Sequence, residues 1–394
     1  MPKIHRIALI LALDVEYGRA LLRGIRAYAR PGKPWVFHIA TPDPDVFDTL
    51  AAWNPTGIIA HISRQDLVEP LRQLNKPCVN VSSALDPAPL PRVGLDSDAT
   101  GKMAAEHFLE RGVKHFAYMG YEPYWYVRAR EHGYRAALRA AGHDKVYTFY
   151  TAPPVPRGGH WALTGQELHH WILALPKPVG IWASHDQHGL ELAEVCRLVG
   201  LRVPDDVAIL GCDNDELICT LAHPPLSSIQ NVGEQSAFEA AAMLERWLDG
   251  VPPPSEPLLL PPSGVIVRQS SDVLTIPDAE LRAAVRFIRN HVEDVIGVDD
   301  ILREVMISRR SLERKFKTIL GRSPLDEIRR VRIERVKQLL TASDLAMPEI
   351  AERAGFSGPD RLAVVFRDET GMAPTDYRKQ FRLHTTHSAR GLAT

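Results

Sequence analysis

The sequence predicts two unlike parts in series. Residues 1–270 form an α/β part of two doubly wound, parallel-sheet lobes, and residues 278–383 form an all-α part with two helix-turn-helix motifs. Three observations carry this. Short apolar runs alternate with helical-period segments through the first 270 residues, and the rhythm restarts near His115. After residue 278 the strand-like runs stop and the apolar spacing is helical. Within that stretch one pattern occurs twice, as Ser308, Leu312, Phe316, Gly321, Pro324 and as Leu362, Phe366, Gly371, Pro374. Apolar positions, turn glycine and proline must all coincide, so two copies within about eighty residues are a specific signal.

Taken in order, strands are expected at 4–13, 35–40, 57–62, 77–81 and 93–95, with helices between them. The helix after the first strand carries Leu21, Leu22, Ile25 and Ala29 on one face. A second series follows, with strands at 115–119, 145–150, 179–183, 207–211 and 227–230, then a helix over 234–249. Val251-Pro-Pro-Pro-Ser-Glu-Pro257 cannot be helical, and 264–268 returns as a last strand. Gln269-Ser-Ser-Asp272 reads as a short polar linker, with the domain boundary set at 271–277, and Asp278 caps the helix that begins the second part. The tail over 384–394 is expected to be disordered.

Composition bounds the answer. A chain of 394 residues is too long for one core. Its 45% apolar and 24% charged residues are ordinary for a globular protein. No apolar run reaches the roughly 18 residues of a membrane span, and the first ends on Asp14 without a cleavage site, so it reads as a buried strand and no membrane partner is expected. Cys78, Cys196, Cys212 and Cys219 lack metal-type spacing, which points to free thiols in a cytoplasmic setting, with no metal and no cofactor. Residues 275–394 hold 22 Lys+Arg against 18 Asp+Glu, a balance of +4, while the remainder carries −5. The basic part is the one with the helix-turn-helix pattern, which agrees with a phosphate-facing surface.

The repeated pattern resembles the DNA-binding domain of AraC/XylS-type regulators over 276–382. The resemblance implies that Arg310, Glu313 and Arg314 reach base edges, Arg suiting guanine and Glu suiting cytosine. Arg309 and Lys317 would hold phosphates. In the second half only Arg361 is an obvious contact, because Pro359, Asp360 and Val364 stand where polar readers are expected. Met306 replaces a customary turn glycine and Ala346 a customary cap, each a local cost. The helix between the halves, with Leu325, Ile328, Val336, Leu339 and Leu340 on its stripe, would set their separation near one turn of DNA, roughly 34 Å.

The first part resembles the sugar-sensing domain of LacI-type repressors, itself related to periplasmic binding proteins. The matching phrases are Arg130-Glu-His-Gly-Tyr134, Ala183-Ser-His-Asp-Gln187, Val203-Pro-Asp-Asp-Val-Ala-Ile-Leu-Gly-Cys-Asp-Asn214 and Pro225-Leu-Ser-Ser-Ile229. That resemblance implies three crossings between lobes, near Met119, Gln230 and Pro261, dividing lobe 1 (1–118, 232–258) from lobe 2 (119–230, 259–270). It also places a sugar in the crevice, with Arg130 and Asp213 clamping hydroxyls; the alternative for that pair is a salt bridge between helices. His185, whose charge would vary with pH, and Asn231, Asp14, Glu16 and Tyr17 are further candidates, each as readily a solvated loop residue. Trp125 and Trp161 are candidates for stacking on the sugar or for core packing.

Ser184-His185-Asp186 cannot form a catalytic relay from adjacent positions, and no phosphate-cradling loop or metalloprotease motif occurs, so no enzyme activity is expected. The pairing of these two resemblances implies a sugar-responsive transcription activator. Its effector would be a pentose, D-xylose, with another pentose or a hexose, or a sugar-binding protein that is no regulator, as the alternatives. Its partners would be duplex DNA with tandem half-sites, a second copy in a homodimer, and RNA polymerase.

Overall fold

Strands buried on both faces need unbroken apolar runs, and the first sheet has them. In a computed structural model that describes residues 4–29, 33–86, 90–122, 124–151, 165–273, 278–343 and 345–381, the chain falls into two compact units, Met1–Val273 and Leu274–Thr394. The first unit begins β1 (His5–Ile10), α1 (Glu16–Tyr28), β2 (Trp35–Ala40), α2 (Val46–Trp53), β3 (Gly57–Ala60), α3 (Val68–Gln73), β4 (Cys78–Asn80) and β5 (Val93–Leu95). It continues α4 (Ser97–Glu110), β6 (His115–Tyr121), α5 (Trp125–Ala140), β7 (Val146–Thr151), α6 (Gly165–Ala174), β8 (Val179–Ala183), α7 (Asp186–Leu198), β9 (Val207–Asp213), α8 (Glu216–Leu221) and β10 (Ser227–Gln230). It ends α9 (Gly233–Leu248), β11 (Leu258–Leu260) and β12 (Val265–Ile266).

The sheets run β2-β1-β3-β4 and β12-β10-β9-β8-β6-β7, with β5 paired to β11. Pairing is parallel except for β12 against β10. This is the expected two-lobed α/β class. In the first lobe Leu9, Ile59 and Val79 pack on Leu21 and Ile25 of α1 and on Ala237 and Leu244 of α9. Gly24 permits that close helix crossing, since a Cβ there would lie 2.0 Å from the Glu234 carbonyl oxygen.

The structure moves the first crossing. β6, expected to straddle it at Met119, lies wholly in the second sheet. α4 also belongs there, because Ala104, Ala105 and Phe108 share a core with Phe116, Tyr134 and Trp182. The helices α4 and α5 meet through glycines: a Cβ on Gly101 would lie 2.1 Å from the Arg130 carbonyl, and one on Gly133 would lie 2.1 Å from that of Asp98. The chain therefore crosses at Asp96, between β5 and α4. The expected linker is also displaced. Ser270 and Ser271 are fully buried in a short turn of the second lobe.

The second unit holds α10 (Ala279–Asn290), α11 (Val298–Val305), α12 (Arg309–Lys315) with a wider turn over Phe316–Leu320, α13 (Pro324–Ala342), α14 (Met347–Arg353), α15 (Pro359–Thr370) and α16 (Pro374–Phe381). Asp278 caps α10 by accepting from the Leu281 N–H at 2.8 Å. One core joins Leu281, Val285, Ile301, Leu312 and Phe316 to Ile328 of α13. A second joins Ile350, Leu362 and Phe366 to Val336 and Leu340 of the same helix. Leu325, expected on the packing stripe, is instead 47% exposed.

Candidate functional site

Candidate residues of both lobes come together near the end of β9, where Tyr17 of α1 and Arg130 of α5 both lie within electrostatic reach of Asp213. Arg130, one turn into α5, is buried to 5% exposure. It donates through Nη1 to the Ser184 carbonyl at 2.5 Å and lies over the Tyr126 ring, 5.0 Å from its centroid. Its Nε has no protein partner among the described residues. Asp213 ends β9 at φ 105, a conformation an L-residue adopts only under constraint. Burial pushes its carboxyl up to about 6; Arg130 opposes that, while Asp215 and Glu16 add to it. The two side chains, both carried by the second lobe, sense each other's charge.

His185 stands beside them, but not as a pH-dependent charge. Its Nε2 meets Tyr126 Oη at 2.9 Å and its Nδ1 meets Ser184 Oγ at 2.9 Å. Burial, then Arg130 and His188, hold it well below the usual histidine range, so it stays neutral. Tyr17 reaches in from the first lobe. Its hydroxyl donates to the Val81 carbonyl at 3.0 Å, and burial raises it to about 12. His61, 5.8 Å from the Tyr17 ring, is lowered by burial to about 4.

Other candidates have structural duties. Asn231 donates from Nδ2 to the Asp213 carbonyl at 2.6 Å and accepts from the Gly233 N–H at 2.9 Å, so it shapes the second crossing. Glu16 pairs with Arg19 at 3.1 Å and with Arg23. Asp14 is exposed at the mouth. Trp125 spans the lobes: its backbone N–H donates to the Ala84 carbonyl at 3.0 Å, and Arg92 lies 5.3 Å from its ring centroid. Arg19 makes a second tie, Nη2 to Asp215 Oδ2 at 2.8 Å. Trp161 and the tail over 384–394 lie outside the described residues.

Sequence reasoning missed the aromatic wall. The Tyr121 ring lies 3.9 Å from His188 and 5.1 Å from His185, and the Tyr126 ring lies 5.6 Å from His185. Tyr126 lies four residues before Arg130 on α5, about one helical turn away, and that proximity was its only signal. Asp186 is fully buried and accepts from Ser228 Oγ at 2.5 Å and the Asp215 N–H at 2.7 Å, which fixes the loop after β9.

In the second unit, Arg310, Glu313, Arg314 and Lys317 all face solvent, off the Leu312/Phe316 core side. Ser308 caps this helix by accepting from the Ser311 N–H at 3.2 Å. Arg309 is tied to Glu313 at 3.2 Å and to Asp299 at 3.5 Å. In the second half Arg361 is exposed beside Asp360, and Val364 is 53% exposed. Several cations of α13 knit the unit together: Arg332 donates to the carbonyls of Asp294 and Ile296 at 3.0 and 3.3 Å, Arg335 pairs with Glu293 at 2.8 Å, and Arg330 with buried Glu327 at 2.8 Å.

Comparison with known proteins agrees with this division. A family described as periplasmic binding protein-like domain matches residues 105–271, and one described as helix-turn-helix domain matches 301–380. The xylose operon regulatory protein of Escherichia coli (strain K12) is 28% identical over 387 residues, covering 95% of this chain and 97% of the relative. That of Haemophilus influenzae is 28% identical over 384 residues, covering 95% and 98%. A solved structure of the xylose-binding transcription activator xylR superposes with a TM-score of 0.75 at 27% identity, covering 97% of this chain and 100% of that one. The chain is a DNA-binding transcription regulator in architecture, a periplasmic-binding-protein-like domain joined to a helix-turn-helix domain, and is similar along nearly its whole length to the xylose operon regulatory proteins.

Proposed function

We propose that the chain is a D-xylose-dependent activator of pentose catabolic genes, acting in the cytoplasm. The observation that carries this is the crevice: a buried arginine with an unpartnered Nε faces a carboxylate and an aromatic wall, in a chain that also holds paired helix-turn-helix motifs. Arg130 and Asp213 supply charge-assisted hydrogen bonds to vicinal hydroxyls, and Tyr126, Tyr17 or Trp125 offers a face to the C–H side of the ring. The xylR structure is that of a xylose-binding transcription activator, which makes D-xylose the leading effector. Binding favours one arrangement of the lobes over another, a population shift. That shift presents the reading helices, Arg310, Glu313, Arg314, Arg309 and Lys317 first and Arg361 second, to tandem half-sites beside a promoter, where RNA polymerase is recruited. The edge strand β2, with Val36, Phe37 and Ile39 between 38% and 49% exposed, offers a surface for a second copy.

Calorimetric titration with D-xylose, L-arabinose, D-ribose and D-glucose tests the reading. D-Xylose binds, and Arg130→Ala or Asp213→Asn weakens it by about 1.5–3 kcal/mol, the range for a hydrogen bond to a charged group. A carboxyl at about 6 adds a pH signature. Affinity is flat above pH 7 and falls toward tenfold per unit below 6, as Asp213 gains the proton that removes its acceptor charge. Tight binding of another sugar keeps the architecture and changes the effector; binding of none sinks the pentose claim.

A further inference from the structure

Three consecutive residues at the end of β9 serve three different parts of the first unit. Asp213 faces Arg130 in the crevice. Asp215 accepts from Arg19 of the first lobe at 2.8 Å and caps α8 through the Leu217 N–H at 3.1 Å. Asn214, between them, does neither. Its Oδ1 accepts from Arg268 Nη2 at 2.9 Å, and its N–H donates to Ser228 Oγ at 3.0 Å. Asp213 and Asn214 both have positive φ, 105 and 51, so this loop is held in shape by its partners rather than by backbone preference.

Arg268 carries the connection onward. Its Nη1 donates to the Leu226 carbonyl at 2.9 Å and its N–H to Ser227 Oγ at 2.8 Å. The next residues are stitched into the same lobe. The Ser270 N–H donates to the Pro225 carbonyl at 3.0 Å, Ser270 Oγ donates to the Ile209 carbonyl at 2.7 Å, and Ser271 Oγ meets His107 Nε2 at 2.7 Å. What reads as a linker is therefore a buried strap, and the second unit begins directly after it at Leu274.

We infer that Asn214 and Arg268 are coupling residues, through which a change in the 213–215 loop on effector binding reaches the 268–273 strap at the root of the DNA-reading unit. The inference rests on the effector reading given above. Neither residue is among the proposed effector contacts; Asn214 adjoins Asp213, and Arg268 leads into the strap. A strap pinned by its buried, hydrogen-bonded Ser270 and Ser271 has few intermediate arrangements, so a displaced loop either keeps the Asn214–Arg268 bond and moves the strap or breaks it.

The test uses the full chain and two variants that differ only at the acceptor. Asn214→Gly keeps the positive φ and removes the side chain, while Asn214→Asp keeps an oxygen for Arg268. Sugar affinity is measured by calorimetry with D-xylose, and amide hydrogen exchange at Ser270, Asp272 and Val273 is followed with and without saturating D-xylose. The expected result is a sugar-dependent change in exchange at those amides in the wild type and in Asn214→Asp. In Asn214→Gly it is lost, with sugar affinity altered by no more than about tenfold, the scale of one coupling. Asn214→Gly that keeps the wild-type exchange response overturns the inference, and so does Asn214→Gly that abolishes sugar binding, which would make Asn214 a contact. A wild type that binds D-xylose without any change at the strap also overturns it. A wild type that binds none of the four sugars overturns the effector reading and the coupling with it, an outcome the wild-type titration separates from the others.

Discussion

The two helix-turn-helix halves share a scaffold and differ in the face they present. Leu312 and Leu362 are 0% and 1% exposed, and Phe316 and Phe366 are both 0%. Gly321 and Gly371 close their helices at φ 68 and 74, and Pro324 and Pro374 open the next ones. The outward faces part company: Arg310, Glu313, Arg314 and Lys317 in the first, Asp360, Arg361 and a half-exposed Val364 in the second. The interior of a repeat is fixed by packing, which both copies must satisfy, whereas the exterior is free to specialise. This difference supports the proposal that the first half reads bases while the second holds position and senses groove shape.

Breaking the shared interior produces the largest effects. Phe316→Ala and Phe366→Ala each destabilise the second unit by about 3–5 kcal/mol in urea unfolding of the full chain, with similar values because both rings are fully buried. Glu327→Gln costs about 2–3 kcal/mol, since it strips a fully buried carboxylate from Arg330 and Arg322. Burial alone would raise that carboxyl, but Arg330 and Arg322 hold it below the usual glutamate range. Its stabilising share is complete above the ordinary glutamate value and is lost as pH falls through the lowered one. An acid-unfolding midpoint that Glu327→Gln leaves unchanged would contradict this.

The faces are compared next. Arg310→Ala and Arg314→Ala each weaken specific DNA binding by about 1–3 kcal/mol and relax preference in one half-site, while Val364→Ala changes it by less than about 0.5 kcal/mol. Fluorescence anisotropy on duplexes with each half-site scrambled measures both. The smallest effects come from two imperfect turns. Met306 sits at φ 51 and is 89% exposed, so Met306→Gly stabilises by up to about 1 kcal/mol. Ala346 gives α14 no side-chain cap, although Glu349 reaches back to its N–H at 2.9 Å, and Ala346→Ser adds about 1 kcal/mol.

What was legible in the sequence was local. The spacing of Ser308, Leu312, Phe316, Gly321 and Pro324 specifies a helix, its buried face and its end within seventeen residues, and no distant partner is needed. The two-lobed sheet class was legible in the same way, from strand rhythm and short phrases, and the phrase around Arg130 marked a side chain that the fold buries near a helix start. What was not legible depends on distant contacts. The first crossing lies at Asp96 because α4 finds its core on β6 and α5, and nothing in α4 itself announces that choice. Ser270 and Ser271 read as linker because serine looks solvated until Ile209 and His107 are placed beside it. His185 reads as a pH sensor until Tyr126 and Arg130 bury it. Tyr121 and Tyr126 form a wall only when two strand ends and a helix start converge.

Selection of duplexes from a random pool by the full chain, with and without saturating D-xylose, tests the central claim most directly. The account predicts enrichment of paired half-sites about one helical turn apart, one read strongly and the other weakly, with affinity falling at least about fivefold when D-xylose is withheld. Enrichment of no sequence, or of two equally read half-sites bound alike with and without the sugar, would contradict it.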